Sequence, residues 1–326
     1  MNRRDVIALL GGAALWPLPA RAQPRDRVRR IGLLQGVIGE ELQARKAALL
    51  QALQQLGWSE GHNLTFEHRF GSGTADTIRK QAAELIALEP QVVVSAGSAT
   101  TEALRTVTRS VPIVFTIVPD PVGAGFVKSL SRPGGNMTGF MQAEYNLSGK
   151  WLELLKQIAP TMTRAAVLRD ATTTAGIGQF AVIQSVAPSL AVDVVPIDVR
   201  DPGEIERELA DFARIPNGGL ILTSTPLGVM HRDLVIALAA RLRLPALYSN
   251  RSPVEVGGLL SYGANFLDSY RLAAGYVDRI LRGEKAADLP VQAPTKYELI
   301  INLRTARALG IEVPPTLLAR ADEVIE

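Results

Sequence analysis

Short apolar runs rich in β-branched residues alternate with amphipathic helical periods, and this alternation limits the possible folds more than any other feature of the chain. In the first half the pattern predicts strands at 30–35, 63–69, 91–96 and 112–118. Helices are predicted between them, at 42–56, 75–88 and 100–108. Such alternation builds parallel βαβ units whose sheet is covered by helices on both faces.

The same pattern is repeated in the second half. Strands are predicted at 165–169, 192–199, 219–223 and 246–249, and helices near 177–187, 203–213 and 229–242. The segment VPIVF at 111–115 opens a strand after a helix, as LPALY does at 244–248. After Leu260 come a long helix at 267–281, an extended segment at 291–302 and a short helix at 303–309, which we expect to complete both lobes. We therefore predict an α/β fold of two Rossmann-like, doubly wound lobes. Two lobes are expected because a chain of 326 residues is longer than one hydrophobic core usually accommodates.

Composition excludes several classes of function. The chain has no cysteine, which excludes disulfides, thiolate metal sites and thiol nucleophiles. The three histidines, His62, His68 and His231, are too widely spaced for a recognisable metal site. The glycine-rich segments lack the spacing of a dinucleotide or phosphate loop. We therefore predict no metal, no cofactor and no catalytic residue.

The net charge of +3 does not indicate nucleic-acid binding. Residues 1–22 contain three arginines and one aspartate, so their removal lowers the charge to +1. Residues 25–30 carry a further surplus of three positive charges, which leaves the body of the chain at −2. Such a body offers little attraction to a phosphate backbone.

Residues 1–22, MNRRDVIALLGGAALWPLPARA, have the features of a cleaved export signal. Arg3 and Arg4 precede an apolar stretch at 6–18, which as a helix is about 20 Å long and too short to cross a hydrocarbon core of about 30 Å. Small residues in Ala20-Arg21-Ala22 predict cleavage before Gln23. The arginine pair resembles a twin-arginine signal, although ordinary secretory signals also contain such pairs.

Polar side chains follow several predicted strands at their carboxyl ends, where open α/β sheets bind ligands. The candidate ligand-binding residues of the first lobe are Gln35, Ser98, Thr100, Thr116 and Asp120. Backbone N–H groups at the helix start in 97–101, with the Ser98 and Thr100 hydroxyls, favour a carboxylate. Two simpler interpretations stay open: Ser98 or Thr100 caps its helix, and Asp120 begins the turn at Pro121.

The candidates of the second lobe are Asp170, Thr225, Tyr248 and Tyr262. Asp120 and Asp170 can accept hydrogen bonds from an ammonium or hydroxyl group, and the tyrosines can supply apolar walls with polar tips. A small carboxylate such as an amino acid or an aromatic acid fits this set.

Four long segments resemble one protein family. They are GWSEGHNLTFEHRFGSG (57–73), VPIVFTIVPDPVGAGFVKSLSRPGGNMTGF (111–140), LPALYSNRSPVEVGGLLSYGAN (244–265) and DLPVQAPTKYELIINLRTARALGIEVPPTLLARADEVIE (288–326). They are similar to the ABC-transporter substrate-binding proteins that include tryptophan/tyrosine-type components. Family members often have Trp-Asn where this chain has Arg169-Asp170, which puts the family's ligand preference in question here.

The resemblance implies a type I periplasmic-binding-protein fold with three crossings between lobes, expected near 141–146, 258–266 and 284–294. It implies a first lobe of 29–143 plus 262–286 and a second of 144–261 plus 287–326. It also implies delivery of the ligand to a permease and an ATPase that are separate chains. We expect a periplasmic, monomeric solute receptor, with an exported ligand sensor or a hydrolase or isomerase on the same scaffold as alternatives.

The export prediction can be checked directly. Expression in a Gram-negative host should yield a periplasmic protein whose N-terminus, read by mass spectrometry, lies at or near Gln23. Replacement of Arg3 and Arg4 by lysines should block export only if the twin-arginine route is used. Recovery of the full-length chain from the cytoplasm alone would contradict the prediction.

Overall fold

The computed structural model describes residues 28–326 except 37–39, 71–73, 199, 226–227 and 229. The predicted signal at 1–22 and its cleavage site before Gln23 lie outside the described residues. Within the described part of the chain, no helix is both long and apolar enough to cross a membrane.

The first lobe is built on a five-stranded parallel sheet with the order β2-β1-β3-β4-β5. In chain order its elements are β1 (Arg29–Gln35), α1 (Glu40–Gln55), β2 (Leu64–Phe70), α2 (Ala75–Ile86), β3 (Val92–Ala96), α3 (Ser98–Val107), β4 (Ile113–Val118) and β5 (Met137–Met141). The four predicted strands and three predicted helices are confirmed. The alternation did not mark β5, because no helix separates it from β4.

The second lobe contains a seven-stranded sheet with the order β12-β11-β10-β9-β8-β6-β7. Its elements are α4 (Leu147–Ile158), β6 (Arg164–Arg169), α5 (Thr174–Val186), β7 (Asp193–Asp198), α6 (Pro202–Phe212), β8 (Gly218–Leu222), α7 (Arg232–Arg241), β9 (Ala246–Tyr248), α8 (Ser252–Glu255), β10 (Leu260–Ala264), β11 (Tyr297–Asn302), α10 (Leu303–Leu309), α11 (Pro315–Leu318) and β12 (Glu323–Ile325). Helix α9 (Phe266–Leu281) follows β10 but packs in the first lobe. Among the strands of the described residues, the one antiparallel pair is β10 with β11.

The central strands of each sheet are buried on both faces, which explains their continuous apolar runs. All five residues of β3 are buried. Alternate residues of one strand belong to different core clusters: Val92 and Val94 pack on the α9 side and Val93 packs on the α2 side. In the second lobe, Val167 and Leu168 divide in the same way between two clusters. The predicted α/β architecture of two lobes is therefore confirmed.

The chain passes between the lobes three times. It leaves the first sheet at Met141 and enters α4 at Leu147, and it returns between Ala264 and Phe266. The third passage lies between Gln292 and Tyr297, because Gln292 still pairs with β5: its N–H donates to the Gly139 carbonyl at 3.0 Å.

Two boundaries differ from the expected ones. Leu289 and Val291 pack in the cores of the first lobe, although 287–326 was expected in the second. These apolar side chains are buried beside α9 and β5, and this burial keeps residues 289–291 in the first lobe. Tyr262 belongs to β10 and thus to the second sheet, although the first lobe was expected to resume at 262.

Gly139 allows β4 and β5 to pair closely. The register between these strands shifts from Phe115 to Val118, and Ile117 in that bulge has φ of 56°. Gly139 has φ of 153°, and a Cβ there would lie 1.9 Å from the Phe115 carbonyl oxygen. A side chain at this position therefore meets backbone that has no room to move.

A pair of glycine substitutions tests this packing. Gly139→Ala should destabilise the protein by about 3 kcal/mol, because it combines a backbone clash with an unfavourable φ. Gly275→Ala, in the middle of α9 with nothing within 4 Å of the added methyl, should stabilise it by about 0.5–1 kcal/mol. Urea unfolding of both variants measures the difference. Equal stability of the two would contradict the close approach at Gly139.

Candidate ligand-binding cleft

The carboxyl ends of the strands in the two lobes face each other. Gln142, one residue beyond β5, donates a side-chain hydrogen bond to the hydroxyl of Ser224, two residues beyond β8. Tyr145 in the first crossing also lies between lobes, since it is close to Asp120 after β4 and to Thr174 at the start of α5. The polar residues at these strand ends therefore share one cleft.

Gln35 is the most unusual side chain at the first lobe's edge. It is 0% exposed at the carboxyl end of β1. Its amide Oε1 and Nε2 are both buried and make no hydrogen bond to any described residue. It pairs in register with Ala96, two residues before α3 begins. Because buried amides almost always have partners, this group is suited to one supplied from outside.

The start of α3 lies beside Gln35 and has no side-chain cap. Gly97 occupies the N-cap with φ of 88°, and no hydroxyl accepts from the first turn. Thr100 is buried and donates to the Ala96 and Gly97 carbonyls at 2.8 and 3.1 Å. Ser98 is exposed. The capping interpretation is therefore wrong for both residues, and no side chain of the described residues caps the N–H groups of this first turn.

Thr116 and Asp120 both make contacts within the first lobe. Thr116 is fully buried and its hydroxyl donates to the Ser95 carbonyl at 3.0 Å. Asp120 Oδ1 accepts from the Gly123 N–H at 2.7 Å, as expected of a turn at Pro121. The Asp120 carboxylate also lies near the Tyr145 phenol. It is thus both a turn residue and a negative charge at the cleft.

Asp170 lies at the carboxyl end of β6 and is 4% exposed. Its Oδ1 accepts from the Thr172 N–H at 2.9 Å and from the Thr172 hydroxyl at 2.6 Å. Gly176 in α5 allows this turn to fold back, because a Cβ there would be 1.9 Å from the Asp170 carbonyl oxygen. The turn holds a buried acidic side chain in a fixed position.

The other candidates of the second lobe lie in two separate places. Thr225 accepts from the Gly228 N–H at 3.1 Å and, with Tyr248, lines a narrow pocket that also contains Arg232. Tyr248 is fully buried, and burial raises its pKa well above the usual value. Tyr262 packs instead against Tyr297, with ring centroids 6.0 Å apart, beside the second crossing.

Sequence reasoning missed Tyr145. Its ring lies against Gly178 of α5, where an added Cβ would be 2.8 Å from the ring Cε2 atom. Burial and the nearby Asp120 charge raise the pKa of the phenol, while Thr174 lowers it. The hydroxyl is buried and makes no hydrogen bond of normal geometry to a described residue. No periodic signal marks this residue, since it lies in a crossing between elements.

A larger cavity of about 710 Å³ lies elsewhere. It is lined by Arg29 at the start of β1, Pro112 before β4 and Lys285 after α9, so it is at the amino ends of the strands. Positive side chains there lie beside the carboxyl ends of helices, whose dipoles they offset. This position separates the cavity from the cleft.

Comparison with known proteins agrees with this geometry. Residues 30–325 match the profile of the family described as ABC transporter substrate binding protein. The chain belongs to this family. Members bind a small molecule outside the cytoplasm for an ABC transporter. Among the described residues, no group of three His, Cys, Asp or Glu side chains could hold a metal ion.

Two solved structures and one curated relative illustrate the similarity. A tyrosine-binding protein of Clostridioides difficile (strain R20291) is 25% identical over 290 residues, which are 87% of this chain and 81% of that protein. An ABC domain from Streptococcus pneumonia in complex with L-Trp has a TM-score of 0.84 at 24% identity, covering 91% of this chain and 99% of that chain. The ligand-free, open structure of a substrate-binding protein with adhesive properties from Clostridium difficile has a TM-score of 0.70 at the same identity and coverage.

Proposed function

We propose that this protein is a periplasmic receptor that closes on an aromatic amino acid and delivers it to an ABC permease and ATPase encoded as separate chains. The observation that carries the proposal is the buried Gln35 amide without a described partner, beside the uncapped start of α3. The other residues of the cleft supply the remaining chemistry.

The first lobe is suited to the ligand's carboxylate. Gln35 Nε2 can donate one hydrogen bond, and the N–H groups of the first turn of α3 can donate others along a favourable helix dipole. The exposed hydroxyl of Ser98 lies at the same helix start. Donors from two neighbouring elements thus converge on one acceptor.

The acidic groups are suited to the ligand's ammonium. Asp120 belongs to the first lobe and Asp170 to the second, so an ammonium between them would draw the lobes together. Two hydrogen bonds from Thr172 offset part of the cost of burying the Asp170 carboxylate, and a cation beside it would offset more. The Tyr145 ring between the two elements offers an aromatic surface.

Similarity supports the choice of an aromatic amino acid. The curated relative is named for tyrosine, and a solved structure of the same fold holds L-Trp. The present structure has the higher TM-score against the L-Trp complex than against the ligand-free, open structure. This order of the two TM-scores is consistent with a closed arrangement of the lobes in the present structure.

The remaining parts of the proposal are an export signal at 1–22, action as a monomer, and no binding of nucleic acid. The receptor performs no reaction on its ligand. An exported ligand sensor would use the same cleft, and the presence or absence of permease and ATPase genes beside this one would distinguish transport from sensing. No arrangement of the described residues specifically favours a hydrolase or isomerase.

Calorimetry on the mature chain tests the ligand and the site together. L-tyrosine or L-tryptophan should bind, whereas tyramine, which lacks the carboxylate, and 3-(4-hydroxyphenyl)propanoate, which lacks the ammonium, should bind at least tenfold more weakly. Gln35→Leu should lower the affinity about tenfold, or about 1.4 kcal/mol. Thr116→Val is the matched control, because its hydroxyl bonds only to the Ser95 carbonyl, and it should change the affinity less than twofold.

Substitutions that change the charge of the cleft test the site assignment most sharply. Ser98→Asp places an anion against the proposed carboxylate, and Asp170→Ala removes the proposed partner of the ammonium. If each leaves the affinity within about twofold, or about 0.4 kcal/mol, the site assignment is wrong. Equal binding of tyramine and L-tyrosine would exclude a carboxylate subsite.

A further inference from the structure

Three hydrogen-bonded residues lie at the contact between the lobes, where the first crossing begins. Gln142 Nε2 donates to the Ser224 hydroxyl, and the Ser224 backbone N–H donates to Gln179 Oε1 at 3.1 Å. Gln142 is 8% exposed and Gln179 is 3% exposed. We call Gln142, Ser224 and Gln179 the amide relay.

Each end of the amide relay is fixed to its own lobe. The Gln142 backbone N–H donates to the Val118 carbonyl at the end of β4, at 3.0 Å. Gln179 lies on α5, whose buried face packs in the second lobe's core. The Gln142–Ser224 hydrogen bond is therefore a contact between lobes, whereas the Ser224–Gln179 bond lies inside the second lobe.

The amide relay joins the elements that carry the proposed ligand contacts. Asp120 follows β4, Asp170 precedes α5, and Thr225 follows Ser224 directly. A hydrogen bond between Gln142 and Ser224 holds these elements at one separation. When the lobes part, water can replace each partner, so the bond contributes only to the closed arrangement.

We propose that Gln142, Ser224 and Gln179 are positioning residues that stabilise the closed state, maintain a closed population without ligand and thereby increase ligand affinity. This inference rests on the proposed function for its effect on affinity, and on the structure alone for its effect on closure. If part of the protein is already closed before binding, less of the binding free energy is spent on closing the lobes. Loss of the relay should therefore weaken binding mainly through faster dissociation.

The absence of cysteine makes closure measurable. Lys80 on α2 and Glu208 on α6 are exposed and lie in different lobes. Spin labels on Lys80→Cys and Glu208→Cys report the distance between lobes by electron–electron resonance. The ligand-free parent should show a short-distance population, and Gln142→Ala or Ser224→Ala should lower the ratio of closed to open about fivefold.

Affinity for L-tyrosine should fall about fivefold in the same two variants, by about 1 kcal/mol. The double variant should be no weaker than either single one, because both remove the same bond. Ser224→Thr keeps the hydroxyl and should restore most of the parent affinity. Gln292→Ala is the control, since its amide bonds to the Tyr276 hydroxyl at 2.9 Å within the first lobe, and it should change neither readout.

Three results would overturn the proposal: no short-distance population in the ligand-free parent, unchanged distances in both variants, or additive losses in the double variant. The distance measurement needs no ligand, so it still decides the relay's role if L-tyrosine fails to bind. That failure would count against the proposed function instead. Urea midpoints equal to the parent's would show that the variants are folded.

Discussion

Burial of both faces of the central strands in each sheet is the constraint on which the rest of the structure depends. Helices cover the faces, so only the edges where strands end can meet a ligand. Two such edges form an enclosed cleft only when they face each other, and the three passages between Met141 and Tyr297 hold them so. The polar residues of the cleft thus lie at or just beyond the ends of strands whose apolar side chains are buried in the cores.

This dependence decides which features the sequence predicts. Val92, Val93 and Val94 are apolar in succession because both faces of β3 are buried, and that local pattern predicts both the strand and its end at Gly97. Gln35 and Asp170 follow from the same logic, since each lies at or directly after a predicted strand. The third passage was placed too early, because the pairing of Gln292 with β5 joins residues far apart in sequence.

Contacts between lobes could not be predicted for the same reason. Tyr145 and Gln142 lie in a crossing without periodicity, and their neighbours Gly178 and Ser224 are more than 30 residues away. Positions at strand ends also do not distinguish roles: Thr116 bonds to its neighbouring strand, whereas Gln35 has no described partner. Both side chains are polar and fully buried, so only their hydrogen-bond partners in the folded structure distinguish their roles.

Binding and closure are one equilibrium in this account. A ligand that contacts both Gln35 in one lobe and Asp170 in the other stabilises the closed arrangement by its differential affinity, whereas a ligand held by one lobe shifts nothing. Small-angle scattering of the mature chain measures this most directly. The account predicts a smaller radius of gyration with saturating L-tyrosine than without it, and an unchanged scattering profile despite demonstrated binding would contradict closure between two lobes.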